Sequence, residues 1–409
     1  YQQPEILPGG KAVLFAVYQQ GETYKIAVLS LDTGEQKILL ENSRQPHYLP
    51  TGHLVYELTQ TGTLMAVPFN VERLELRGGP VPVLEGVRSS SGEGTADYSI
   101  SDDGTLIYVS GGVSTRELSL VWVDRKGAAQ QVTEIKRDFE DPRLSPDGTR
   151  LVVTIWDEGG RNIWIYEIDR GTLTPFTVEG VNNRAIWTPD GKRLIFFSSR
   201  ETGRGIFWMP SDGSDDAEQL ATASSGRSLF PTSWSPDGLV AYTTNDGDIG
   251  VLSLEGEREI RWVLTTEYRE ANAVFSPNGQ WMAFTSDRSG QDEVYVKPYP
   301  DQGGIVAIST DGGLEPVWAP NGRELFYRNG DKLMVVSVQA EGTFKAEKPR
   351  VLFEMSSSPY SYTNKTSNYD VTPDGQRFVM VKATQESTPE QINVVLNWFE
   401  ELKRLVPTP

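Results

Sequence analysis

Nine times along the chain a short run of strand-type residues meets a turn of the Pro-Asp-Gly kind and resumes as a second apolar strand. The turns end at Gly10, Gly52, Gly104, Gly148, Gly191, Gly238, Gly279, Gly322 and Gly375. A β pattern with a period of about 40 to 50 residues predicts propeller blades, small antiparallel sheets that bury their faces by packing on one another. The fourth copy, PRLSPDGTRLVVTIWDEGGRNIWIYEIDRGTLTPFT, is the clearest. It predicts strand a at Pro142 to Ser145, b at Leu151 to Ile155, c at Ile163 to Ile168 and d near Thr174 to Thr177. Glycine closes the a–b turn because it takes φ > 0 without a Cβ clash. Four positions before that glycine stand Ile6, Tyr48, Ile100, Leu144, Trp187, Trp234, Phe275, Trp318 and Val371. A bulky residue at one fixed place in every copy reads as core between blades rather than as a binding stripe.

The expected fold is all-β: a single β-propeller of four-stranded antiparallel blades, nine in number, or eight if one motif is degenerate. It would be one domain over residues 1–409, with repeats near 1–44, 45–95, 96–139, 140–182, 183–228, 229–269, 270–312, 313–365 and 366–409. Some segments depart from the plan. The second and eighth copies carry long c–d excursions, FNVERLELRGGPVPVLEGV and VQAEGTFKAEKPRVLF. Ser89 to Gly94 and Ser356 to Ser367 read as polar surface loops. The last copy ends QINVVLNWFEELKRLVP, expected as strand c over Ile392 to Trp398 and a short helix over Phe399 to Leu405. Ring closure then has three solutions: a three-stranded ninth blade, completion by residues near Tyr1, or further blades upstream.

Composition narrows function mainly by exclusion. A formal charge of −18 sets the surface against phosphate backbones and anionic lipid, so no nucleic-acid partner and no direct membrane insertion are expected. Cysteine is absent, which removes disulfides, thiolate catalysis and cysteine-ligated zinc. No apolar run approaches the roughly 20 residues of a spanning helix. Tyr1 opens without a signal peptide, as a mature or excised region would.

Candidate chemistry is sparse. The two histidines, His47 and His53, flank one turn in QPHYLPTGHL, and no GxSxG nucleophile elbow is present. Hydrogen-bonded or exposed structural histidines are the expectation, with His47 the one to watch near a central channel. NDGDIG (Asn245 to Gly250) and SDRSGQDE (Ser286 to Glu293) crowd oxygen ligands without matching the twelve-residue calcium loop. They read as polar hairpin turns, and neither a metal nor another cofactor is expected. Recognition at a channel mouth fits better. Seven positions before each turn glycine lie Gln3, Gln45, Asp97, Asp141, Arg184, Pro231, Asn272, Glu315 and Asn368, a polar set entering the innermost strand. Five before it lie Glu5, His47, Ser99, Arg143, Ile186, Ser233, Val274, Val317 and Asp370. The candidate ligand-binding residues are accordingly Asp97, Asp141, Arg184, Asn272, Glu315, Asn368 and His47, with no catalytic residue assigned.

The SPDG turn followed by IWxY or VYV strands resembles the TolB-type, WD-like propeller repeat, over essentially the whole chain. The segments AVFSPNGQWMAFTSDRSGQDEVYVKPYP, RELFYRNGDKLMVVSV and NVVLNWFEELKRL resemble the C-terminal propellers of bacterial, acidobacterial-type serine/threonine protein kinases. That resemblance implies a sensor-like region outside the cytoplasmic membrane, although no glycine-rich phosphate loop, HRD or DFG motif is present here. The leading expectation is a non-catalytic propeller binding an unknown small ligand or protein at the channel mouth. A propeller hydrolase or lyase using His47, and a structural scaffold in an envelope assembly, are the alternatives.

Overall fold

The computed structural model describes the chain apart from residues 1, 18–23, 60, 91–94, 112, 115–116, 158–159, 202, 225–226, 255, 257, 301–302, 356–366, 384–390 and 408–409. Most of both expected loops, 91–94 and 356–366, thus lies outside the described residues. Antiparallel sheets dominate, and nine of them carry the strand order of a blade. The chain divides into two compact units, residues 116–384 and residues 1–115 together with 385–409.

The larger unit holds six sheets. The clearest repeat forms Asp138–Leu144, Arg150–Asp157, Gly160–Glu167 and Thr172–Pro175, the four strands expected of it. Sheets starting at Val181–Trp187, Leu229–Trp234, Glu270–Phe275 and Leu314–Trp318 follow the same plan. The sixth sheet is assembled from both ends of the unit, in the order Ala129–Gln131, Leu118–Asp124, Arg377–Ala383, Tyr369–Val371. Apolar clusters then run from sheet to sheet around a full circuit. Val152 packs with Phe196, Ile195 with Val240, Ala241 with Phe284, Ala283 with Leu325, Phe326 with Phe378, and Val379 with Leu151.

This closure corrects the expectation of one ring spanning residues 1–409. The third and ninth copies exchange strands. Leu118–Asp124 pairs residue for residue with Arg377–Ala383. Leu106–Val109, from the same third copy, pairs with Ile392–Val395. A strand from the start of the unit hydrogen-bonded to one from its end completes the last sheet of the six-sheet circuit, which is why the ring closes there.

The smaller unit holds the other three sheets. One is Gln2–Ile6, Ala12–Val17, Lys25–Ser30 and Gln36–Leu40. The next starts at Ser43–Leu49, and the third joins Tyr98–Ile100, Leu106–Val109 and Ile392–Val395. The helix Trp398–Leu405 buries Trp398 and Leu402 against Leu49, Leu64 and Leu106. Both long excursions become additional strands, Glu75–Leu76 with Val81–Leu84, and Lys345–Ala346 with Arg350–Glu354. Of the bulky row four before the turn glycine, only Ile6 escapes the clusters, at 69% exposed.

The turn motif has a side-chain reason. Ser145, Thr188, Ser276 and Thr372 each donate a hydroxyl to the Asp or Asn two residues on, at 2.6–2.7 Å. The same oxygens accept the backbone N–H five residues on, at 2.9–3.0 Å. These hydroxyls hold the Asp147, Asp190 and Asp374 carboxyls below the usual range. Where Leu7, Leu49 or Ala319 replaces the hydroxyl residue, the side chain is buried in the core instead.

Candidate binding site

The innermost strands of the larger unit do not run straight. Their pairing with strand b slips between Glu140 and Arg143, Asn183 and Ile186, Ala271 and Val274, and Leu314 and Val317. The residue at each slip takes a left-handed backbone: Asp141 at φ 54, Arg184 at 56, Asn272 at 53 and Glu315 at 57. These are the positions seven before the turn glycine, so each bulge re-aims one side chain out of the strand's alternation. Proline at 231 cannot adopt φ > 0, and its strand slips between Pro231 and Ser233 instead.

Of the seven candidate residues, Asp141, Arg184, Asn272, Glu315 and Asn368 lie in the larger unit, and His47 and Asp97 in the smaller. The expectation set all copies about one axis; the repeats fall in two units. Asp97 is engaged by Arg88. His47 Nδ1 lies 2.6 Å from Glu5 Oε2, and that carboxylate holds its pKa above the ordinary imidazole value. His53 is buried, its Nε2 donating to the Val406 carbonyl at 2.7 Å, and burial holds its pKa low.

Two of the five residues in the larger unit are committed to holding the ring. Glu315 accepts from Arg328 at 3.4 Å and from the Asn368 N–H at 3.2 Å, while its carbonyl accepts the Tyr369 hydroxyl at 2.8 Å. Burial pushes the Glu315 carboxyl up, against the pull of Arg328. Asn368 Oδ1 accepts the Asp141 N–H, and Thr154 donates to Asp141 Oδ2, both at 3.3 Å. Replacing Glu315 would therefore disturb structure as well as any binding at the channel mouth.

The other three are less committed. A small cavity of about 20 Å³ is lined by Asp141, Arg143, Arg184, Asn272, Thr232 and Ser367, among others. Asp141 Oδ1 and Asn272 Nδ2 have no partner among the described residues, although the two residues are only 4% and 3% exposed. The Arg184 guanidinium lies 3.7 Å over the Phe230 ring, with no carboxylate in ion-pairing range among the described residues. Desolvation pushes its pKa down to about 10, with Asp141 pulling the other way, so it stays a cation at neutral pH.

Arg143, five before its turn glycine, donates from Nη1 to the Pro142 and Ser367 carbonyls at 2.7 and 2.8 Å. It also borders a cavity of about 520 Å³, walled by Trp187, Trp234, Phe275 and Trp318 with the turn residues Pro146 and Pro236. The two cavities share Arg143, Ile186, Thr232, Val274 and Ser367, so the small one is the floor of the large one. That volume is in the range of small-molecule sites. Sequence reasoning placed the tryptophans in the core, where they are, and missed that their edges also wall this vestibule. The acidic turns prove engaged: Arg227 pairs with Asp246 and Asp248 at 2.9 and 3.0 Å, and Arg269 with Asp292 at 2.9 Å.

A ring of four-stranded antiparallel sheets around a polar-floored channel defines a β-propeller. Residues 95–272 match the model of the TolB beta propeller domain, a stretch somewhat under half the chain. Among curated relatives, an uncharacterized peptidase of Bacillus subtilis, YuxL, is 26% identical over 208 residues, 38% of this chain and 31% of that protein. A TolB homolog of Chlorobium luteolum is 30% identical over 160 residues, 38% of this chain and 35% of that one. The chain thus spans about a third of the length of each. A solved structure assigned to TolB from Agrobacterium tumefaciens superposes with a TM-score of 0.53 at 19% identity, covering 66% of this chain and 99% of that one. That last likeness bears on fold alone.

Proposed function

We propose that this chain is a non-catalytic binding propeller whose recognition site is the channel of the six-sheet unit. The observation carrying the reading is the set of buried, uncommitted polar groups, Asp141 Oδ1, Asn272 Nδ2 and the Arg184 guanidinium, at the floor of one vestibule. Unpaired buried polar atoms are costly, and a bound ligand is one way to satisfy them. Residues 116–384 contain no histidine or cysteine, so the channel lacks the usual nucleophile–base pairs. The resemblance to receptor-kinase propellers supports the finer reading, a sensor-like region outside the cytoplasmic membrane. Protease accessibility of the full-length protein in intact cells tests that placement.

The site itself is tested by a thermal-shift screen against divalent cations, sugars, peptides and cell-wall fragments. A ligand at 100 times its Kd stabilises by about 2.7 kcal/mol. Asn272→Gly suits the left-handed backbone and removes the side chain. A hit that Asn272→Gly weakens supports the channel, and a hit it leaves unchanged refutes it. A hydrolytic reading has one observation in its favour, the half-exposed His47–Glu5 pair in the smaller unit. It requires a turnover that His47→Ala abolishes.

A further inference from the structure

We propose that the channel is built for an α-amido carboxylate, the group that ends a peptide chain or an acylated amino acid, inserted carboxylate first. This rests on the channel being the recognition site and adds the chemistry of what it recognises.

The floor offers three donors of two kinds. Arg184 presents a guanidinium that makes no ion pair among the described residues. Arg143 uses Nη1 on the Pro142, Ser367 and Tyr369 carbonyls, and no carboxylate stands in ion-pairing range of it among the described residues. Asn272 contributes an unpartnered Nδ2. Two cations and an amide donor around one point describe an anion site, and guanidinium geometry suits the planar carboxylate.

The same floor carries one unpartnered acceptor, Asp141 Oδ1. A phosphate dianion there would meet a like charge and a space of about 20 Å³, room for little more than a water-sized group. A carboxylate is smaller and carries a single charge, and an N–H beside it can face Asp141 in its place, so both difficulties ease. Its carboxylate faces Arg143, Arg184 and Asn272 while the N–H donates to Asp141. The remainder of the ligand lies in the 520 Å³ vestibule against Trp187, Trp234, Phe275 and Trp318, which favours an apolar or aromatic side chain next to the carboxylate.

Isothermal titration of the whole chain with N-acetyl-phenylalanine and with its carboxamide tests this. The acid is expected to bind at least tenfold tighter than the amide, and Arg184→Gly to remove that preference. N-acetyl-Ala-Ala-Phe separates the sources: tighter binding than the single residue indicates a chain end, equal binding a free acyl amino acid, and both support the proposal. Equal affinity for acid and amide, no binding of either, or an acid preference that survives in Arg184→Gly would overturn it. The melting temperature of Arg184→Gly controls for folding. Should another ligand class bind and lose affinity in Asn272→Gly, the carboxylate assignment fails while the channel stands. Should that ligand bind Asn272→Gly and Arg184→Gly as well as the parent, the channel reading fails too.

Discussion

Asp370 is the side chain on which closure of the six-sheet ring can be tested most directly. It stands five before its turn glycine, and its Oδ2 accepts the N–H of Leu144 across the junction of the last and first sheets at 2.9 Å. Ser233 Oγ makes the equivalent bond to the Phe275 N–H at 3.0 Å, and Glu5 Oε1 to the Tyr48 N–H at 3.1 Å. Asp370→Ala strands a buried amide, at a cost of about 1–3 kcal/mol. Against that, burial holds the Asp370 carboxyl above its ordinary pKa, with Arg143 only partly compensating, so the charge itself is a burden near neutral pH. Asp370→Asn keeps an acceptor and sheds the charge. The expectation is that alanine lowers stability by about 2 kcal/mol, roughly 4–8 °C in melting temperature, and that asparagine stays within about 1 kcal/mol of the parent. A raised folded-state pKa means the unfolded chain releases its proton first. The stability tied to protonated Asp370 is full below the ordinary carboxylate pKa and lost as pH rises through the raised value. Asparagine should therefore gain on the parent between pH 4 and pH 7. Urea titration read by hydrogen exchange in peptides from 118–144 and 369–383 follows the junction itself. If alanine and asparagine prove equally stable there, the latch contributes nothing and the reasoning is wrong.

Gly205→Ala should cost about 3 kcal/mol, since φ is 155 and an added Cβ would meet the Ala221 carbonyl oxygen at 1.9 Å; thermal melts check it. His47→Gln should destabilise the smaller unit by about 0.5 kcal/mol at pH 5.5 and by nothing at pH 9, because a half-exposed pair is weakened by solvent. Its sign follows from the raised pKa: the contribution is full below the ordinary imidazole value and lost as pH rises through the raised one. Exchange rates across 43–58 report it, and a pH-independent effect would exclude the Glu5 pairing as its source. His53→Ala should free the Val406 carbonyl and fray the helix Trp398–Leu405, seen as faster proteolysis of the C-terminal segment.

The sequence spoke clearly where a local rule repeats and fell silent where long-range pairing decides. The glycine-closed turn recurs at all nine copies, and Ser145, Thr188 and Thr372 add a local hydroxyl-to-carboxylate bond, so strands a and b were legible at every copy. The terminal strand and helix were also visible in local pattern, expected over Ile392 to Trp398 and Phe399 to Leu405 and found at Ile392–Val395 and Trp398–Leu405. Which sheet that strand joins was not. Leu118–Asp124 is an ordinary apolar strand, and nothing within it says that its partner is Arg377–Ala383 rather than its own copy's strand b. The positions seven before the turn glycine were legible as polar, but the left-handed bulge that makes them so is a pairing property. The vestibule was the least visible feature, because Trp187 and Trp318 serve the core with one edge and the cavity with another.

The bulge also separates what the fold requires from what it does not. A left-handed residue in a strand tolerates Asn and Asp well, since their short side chains bond locally. Asn272 and Asp141 are thus residues the backbone itself would select. Long side chains have no such advantage, and a left-handed Arg or Glu needs another reason to be there. Glu315 has one, in its bonds to Arg328 and to the Asn368 N–H that tie neighbouring sheets together. The Arg184 side chain has no comparable tie among the described residues, with the face of Phe230 beneath it and the cavity before it, and its bond to Thr154 is made by the backbone N–H. A desolvated cation in a left-handed backbone, stacked on one ring and bordering a small cavity, is not what packing alone would place at that position. Under the proposed reading, its identity answers to a ligand that arrives with a negative charge.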